Sequence, residues 1–253
     1  MGKIKVTVWN EYVHELQEED IRALYPQGLH GQIKAFLDPH EELEVRTATL
    51  HGPDFLTDEL LNDTDVLIWW GHVAHWDVTD ELAFKVRDRI YNDGMGFIAL
   101  HSAHMSKPFR YTVGSSGRLL WSDNQKEIIW NINPAHPIAA GLPERIDLGE
   151  EEMYGEPFSI PQPDEQVFLS WFEHGYVFRS GCCWYRGRGK VFYFQPGHES
   201  CRSFYHPLIQ KIIYQAVLWA KPGDFGCPMH HCDYRKNVFE NGDYTNEYPP
   251  PGL

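Results

Sequence analysis

Five side chains in this sequence could transfer protons or bind a metal ion: His14, His72, His101, Glu152 and His198. Imidazole and carboxylate groups can be tuned to act as general acids and bases near neutral pH. The same groups are suitable ligands for zinc or a similar divalent ion. Because the five residues are far apart along the chain, their spacing leaves both chemistries open, and only the fold can unite them.

The central candidate is His101, which follows the apolar run at residues 97–100 in the segment GMGFIALHSAH. A short apolar run introduced by glycine is typical of a buried strand in a parallel sheet. His101 would then lie at the carboxyl end of that strand, where open α/β sheets bind their ligands. The predicted catalytic residues are His101, Glu152 and His198. The predicted metal ligands, with zinc as the expected metal, are His14, His101 and His198.

Strand and helix patterns alternate through the first hundred residues. Strand patterns lie at residues 3–9, 43–49, 65–70 and 97–100, with helical patterns between them. This alternation predicts a parallel sheet with helices on both faces, which is a three-layer α/β sandwich. The patterns at residues 126–132, 167–172, 181–185 and 190–194 predict antiparallel C-terminal strands, and residues 206–221 predict a closing amphipathic helix. Residues 149–154 are interpreted as an acidic segment that leads into a loop.

Composition excludes several classes of partner. The chain has 22 Lys plus Arg against 36 Asp plus Glu, a formal net charge of −14, which repels nucleic acids and anionic membranes. No apolar run approaches the roughly 18 residues of a membrane helix, and the chain begins with a strand pattern, so a cytoplasmic location is expected. Five cysteines fit a reducing compartment. No Gly-x-Gly-x-x-Gly follows the first strand pattern, so NAD is not expected.

Aromatic residues near the predicted strand ends could stack on a sugar. The predicted substrate-binding residues are Trp70, His72, Trp76 and Tyr154, and Trp121 is a further stacking candidate.

The last residues, 222–253, lack periodicity. They are expected to form an extension that packs on the 1–221 domain or on a neighbouring subunit of a homo-oligomer. Cys227, His230, His231 and Cys232 are potential metal ligands in this extension. They are too closely spaced to wrap one tetrahedral ion without distant partners, which favours a structural or surface role.

Several segments together resemble the ThuA-like, or trehalose-utilisation, family over most of the chain to about residue 220. They are His14, residues 94–101, residues 151–154 and residues 187–193 running into Gly197 and His198. The resemblance implies a class I glutamine amidotransferase-like fold of the flavodoxin-like kind. It also implies a role in carbohydrate utilisation, with hydrolysis or isomerisation of trehalose, a related disaccharide or a keto sugar.

Glutamine amidotransferases place a nucleophilic cysteine on the turn after the central strand. His101 occupies that position here, and the adjacent Ser102 lacks the glycines that usually frame such a turn, so amidotransferase activity is not expected. Two other hypotheses stay open. The chain could be a noncatalytic sugar-binding or regulatory protein, or the histidines could be incidental in a structural protein whose extension drives oligomerisation.

Overall fold

A nine-stranded mixed sheet forms the centre of the computed structural model, which describes residues 2–53 and 55–223. Its strands are β1 (Ile4–Asn10), β2 (Leu43–Thr49), β3 (Val66–Trp70), β4 (Gly96–Leu100), β5 (Leu120–Asn131), β6 (Arg145–Gly155), β7 (Glu165–Phe172), β8 (Val177–Arg186) and β9 (Gly189–Phe194). Their order is β2-β1-β3-β4-β9-β8-β7-β5-β6. The pairs from β2 to β9 are parallel and those from β9 to β6 are antiparallel. The predicted fold class is confirmed.

Helices cover both faces of the sheet and give the expected three layers. They are α1 (His14–Gln17), α2 (Glu19–Leu24), α3 (Gly28–Leu37), α4 (Asp58–Asn62), α5 (Asp80–Asp88), α6 (Lys107–Val113) and α7 (Pro207–Ala220). Successive strand residues point to opposite faces, so Ile98 packs in the cluster that includes α3 and α7. Its neighbour Phe97 packs in the cluster that includes α5 and α6.

The β5–β6 ribbon contains a strand that the sequence patterns did not predict. Residues 149–154, interpreted from the sequence as an acidic segment before a loop, form part of β6. Carboxylates are depleted in strands, which hid this strand in the sequence. The pairing of β5 with β6 shifts register twice, and Asn124 at the first shift adopts a left-handed φ of 53°. Such bulges bend a ribbon, and the end of β6 reaches the loop after β9, where Glu151 accepts a hydrogen bond from the Gly197 amide.

The first compact unit extends to Pro222. Cys227, His230, His231 and Cys232 lie outside the described residues, as does most of the predicted extension. Within residues 2–53 and 55–223, no helix is both long and apolar enough to cross a membrane.

Candidate functional site

The loops after four parallel strands converge on one cluster of imidazole rings. His14 follows β1 and begins α1, while His72, His101 and His198 follow β3, β4 and β9. The ring centroid of His72 lies 5.2 Å from that of His14, 5.8 Å from that of His101 and 5.2 Å from that of His198. Glu152 enters from β6. The structure therefore brings together all five side chains that the sequence singled out.

His101 lies at the base of this cluster and is fully buried. Its φ of 52° is left-handed, the strained strand-to-helix geometry in which α/β hydrolases hold a nucleophile. Its Nδ1 lies 2.9 Å from the Gln195 carbonyl oxygen, and its Nε2 lies 3.0 Å from Oε2 of Glu152 and 3.2 Å from the Tyr154 hydroxyl. Both ring nitrogens are thus engaged inside the protein, which suits His101 to orient Glu152 rather than to contact a ligand.

Glu152 and His101 shift each other's charge states. Burial alone would lower the pKa of His101, but the adjacent Glu152 carboxylate raises it above its usual value. Burial would raise the pKa of Glu152, yet its contact with His101 and the nearby rings of His198 and His72 lower it. The two side chains are both buried and pair as opposite charges, with Oε2 of Glu152 3.0 Å from Nε2 of His101. An ionised carboxylate in this position can accept a proton.

Glu199 is a functional candidate that the sequence reasoning did not select. Its carboxylate accepts a hydrogen bond from Nδ1 of His72 at 2.9 Å and lies 3.5 Å from Nε2 of His14 and 3.4 Å from Nε2 of His198. Burial would raise its pKa, but these imidazoles, His72 foremost, lower it to about 2. The available signal was its position directly after His198, which the sequence did single out.

Two buried carboxylates outside the imidazole cluster shape its loops. Glu151 accepts hydrogen bonds from the Gly197 and His198 amides, both at 3.0 Å, and from the Ser203 hydroxyl. Glu11 accepts from the amides of Val73 and Ala74, next to His72, at 2.8 and 3.0 Å. Each carboxylate fixes the backbone beside a site residue, so these glutamates act as anchors.

The predicted stacking residues occupy different environments. Trp70 has no exposed surface, and its Nε1 donates to the Gly197 carbonyl, so it supports the cluster from below and offers no ring face to a sugar. Tyr154 is also buried, stacked on His101 with ring centroids 5.0 Å apart. Trp76 and Trp121 are 59% and 63% exposed. Trp76 packs against the Arg110 guanidinium.

Two overlapping groups in the described residues could hold a metal ion: His14, His72 and Glu199, and His72, Glu152 and His198. Of the three predicted metal ligands, His14 belongs to the first group and His198 to the second, whereas His101 belongs to neither.

The cysteines among the described residues do not offer an alternative nucleophile. Burial raises the pKa of the Cys182 thiol to about 12 and also raises those of Cys183 and Cys201.

Known proteins resemble this chain in family and fold. No curated protein sequence matches it. A ThuA-like protein from Parabacteroides merdae has a similar structure, with a TM-score of 0.66 and 13% identity over 86% of this chain and 90% of that one. A cytoplasmic protein from Salmonella typhimurium gives 0.60 and 9% identity over 87% of this chain and 100% of its own. The family model ThuA, described as trehalose utilisation, matches residues 5–220, so the chain belongs to the ThuA family.

Proposed function

We propose that this chain acts in the utilisation of trehalose or a related disaccharide, by hydrolysis or isomerisation of a sugar derivative that carries a carbonyl group. Family membership supports the substrate class. The observation that carries the chemistry is the Glu152 carboxylate, which is buried beside the histidine cluster with Oε2 3.0 Å from Nε2 of His101, a contact that lowers its pKa. A base in this position suits removal of a proton from the carbon next to a carbonyl group.

The surrounding groups would divide the work. Glu152 is the proposed general base, and His101, held on both sides, keeps its carboxylate ionised and oriented. Burial and the neighbouring His101 lower the pKa of His198, so a neutral imidazole lies within reach of a second proton transfer. His72 and the exposed Trp76 would contact the sugar at the opening of the site.

Proton exchange provides a direct test. The protein would be incubated in D₂O with trehalose and with a keto derivative of trehalose, and NMR would follow deuterium incorporation and product formation. Glu152→Gln should lower the rate by about 10²- to 10⁴-fold, the range expected for loss of a general base. His174→Ala, which changes an exposed histidine outside the cluster, should keep the wild-type rate.

The outcomes separate the hypotheses. If the Glu152→Gln variant reacted at a rate within about threefold of wild type, Glu152 would not be the general base. Binding of sugar without exchange or turnover would favour the noncatalytic sugar-binding protein instead.

We place the activity in the cytoplasm, as the name of the Salmonella relative suggests for that protein. Self-association stays a prediction, and the site does not need it, since all its residues come from one chain.

A further inference from the structure

We infer that one divalent transition-metal ion of the zinc type binds between His14, His72 and Glu199. The inference deepens the proposed function and rests on it for the ion's role in a reaction, but binding itself can be measured without a sugar. In that role the ion would polarise the carbonyl oxygen of the substrate as a Lewis acid while Glu152 removes the proton.

The three side chains are nearly positioned to share one ion. One ligand atom from each lies within 4.8 Å of the other two. Two atoms that bind zinc at about 2.1 Å can be at most about 4.2 Å apart, so small side-chain movements close the set. Nε2 of His14 is buried without a hydrogen-bond partner among the described residues and faces the Glu199 carboxylate 3.5 Å away. Nδ1 of His72 lies 2.9 Å from the same carboxylate. An ion between the three side chains would give the His14 nitrogen a partner and would replace the direct contact between His72 and Glu199.

His14 is already oriented as a metal ligand. Its Nδ1 lies 2.7 Å from Oε1 of Glu18, one turn further along the chain. A histidine that binds metal through one nitrogen commonly donates its other N–H to a carboxylate, which fixes the tautomer. The buried Trp70 ring lies edge-on to His14 and His72, with centroids 6.5 and 6.4 Å away. The other nitrogen of His14, Nε2, lies 3.5 Å from Oε1 of Glu199.

The second possible group, His72 with Glu152 and His198, is less suited to the ion. Oε2 of Glu152 is 3.0 Å from Nε2 of His101, and an ion there would displace that contact and occupy the proposed base. Nδ1 of His198 lies 2.7 Å from the Ser200 hydroxyl, so His198 lacks the carboxylate partner that His14 has in Glu18. An ion on His14, His72 and Glu199 instead leaves Glu152 free to act as the base.

The donor atoms define the class of metal. Two imidazoles and one carboxylate suit zinc and neighbouring transition metals, whereas magnesium and calcium prefer oxygen ligands. Three protein ligands also leave a coordination position open for water or a carbonyl oxygen, as in catalytic zinc sites.

The test is calorimetric titration of ZnCl₂ into full-length, untagged, chelator-treated protein, with Co²⁺ absorption spectra as a second readout. The parent protein should carry C227S and C232S, so that the thiols of the C-terminal extension add no site. It should bind one Zn²⁺ per chain. His14→Ala and Glu199→Gln should weaken binding by more than about 100-fold, and Glu18→Gln by about 10- to 100-fold.

Glu152→Gln, His198→Ala and the exposed control His174→Ala should bind within about threefold of the parent. The inference is overturned if the parent shows no saturable binding. It is also overturned if Glu152→Gln and His198→Ala lose the ion while His14→Ala keeps it. Glu18→Gln changes an exposed side chain, so it keeps the test decisive if another variant fails to fold. Zinc binding without sugar turnover would leave this inference standing and refute the proposed function, and turnover without zinc binding would do the reverse.

Discussion

His104 should make the folded chain sensitive to mild acid. The imidazole lies in the short helical segment after β4, with Nδ1 2.6 Å from the Gly117 carbonyl oxygen, and its ring contacts those of Tyr154 and Phe158 edge-on. Burial lowers its pKa from 6.5 to about 3. Because the unfolded chain binds this proton more readily than the folded chain, stability is lost as pH falls from about 6.5 towards 3.

The magnitude follows from the two pKa values. Between pH 7 and about pH 4.5, a single imidazole with these values costs about 3 kcal/mol of folding free energy. His104→Asn keeps a donor for the Gly117 carbonyl but cannot be protonated. We therefore expect the variant to be less stable at pH 7 and to lose about 3 kcal/mol less than wild type on acidification. Acid-sensitive groups far from His104 titrate in both proteins and cancel in the difference, whereas His75 and His101, whose charges also lower the pKa of His104, add a coupling to it.

Urea unfolding at the two pH values, with chelator present, would measure this difference. Ile98→Val is a suitable control, since it should destabilise the core by about 0.5–1.5 kcal/mol at both pH values without changing a titratable group. If wild type and His104→Asn lost the same free energy on acidification, within about 1 kcal/mol, the assignment of His104 as a buried neutral imidazole would be refuted.

Two substitutions test the anchors of the site and the sheet. Oε2 of Glu151 accepts from the Gly197 amide and Oε1 from the His198 amide, and Glu151→Gln replaces one of these oxygens with a donor. We therefore expect a loss of about 2–4 kcal/mol in urea unfolding and weaker Zn²⁺ binding, although Glu151 is not a proposed ligand. Unchanged stability would contradict its role as an anchor. Gly187→Ala, in the β8–β9 turn, should cost about 2 kcal/mol or more, because φ is 59° and the new Cβ would lie 2.4 Å from the Tyr91 carbonyl oxygen. The control Gly175→Ala has φ of 86° but open space, so it should lose only about 1 kcal/mol, and equal losses would show that the contact with Tyr91 has no effect.

The parallel half of the sheet could be predicted because its signals are local. Each buried strand is an apolar run followed by polar residues, and the side chain after such a run necessarily lies at the ligand-binding edge. This reasoning placed His72 and His101 at the carboxyl ends of their strands. Side-chain alternation along a strand also explains why the adjacent Cys182 and Cys183 lie in separate core clusters on opposite faces of the sheet.

The antiparallel half could not be predicted as well, because its determinants are distant in sequence. Glu151 and Glu152 resemble a solvated acidic segment until their partners, which lie more than forty residues away, are known. Trp70 resembles a stacking residue because a strand pattern does not reveal which tryptophan faces solvent. His101 was selected as a metal ligand for a similar reason. Its contacts with Gln195 and Glu152, which engage both of its ring nitrogens, are visible only in the fold.

The bent β5–β6 ribbon explains how one site draws on both halves of the sheet. β6 is the outermost strand of the antiparallel half, yet Glu152 contacts a histidine at the end of β4, in the parallel half. The two register shifts in the ribbon permit this approach. The ends of the parallel strands thus supply the imidazoles and Glu199, while the ribbon supplies Glu152, the proposed base. Movement of the ribbon could change the placement of Glu152 while leaving His14, His72 and Glu199 in position. We therefore expect changes at the bulge near Asn124 to alter turnover more than metal binding.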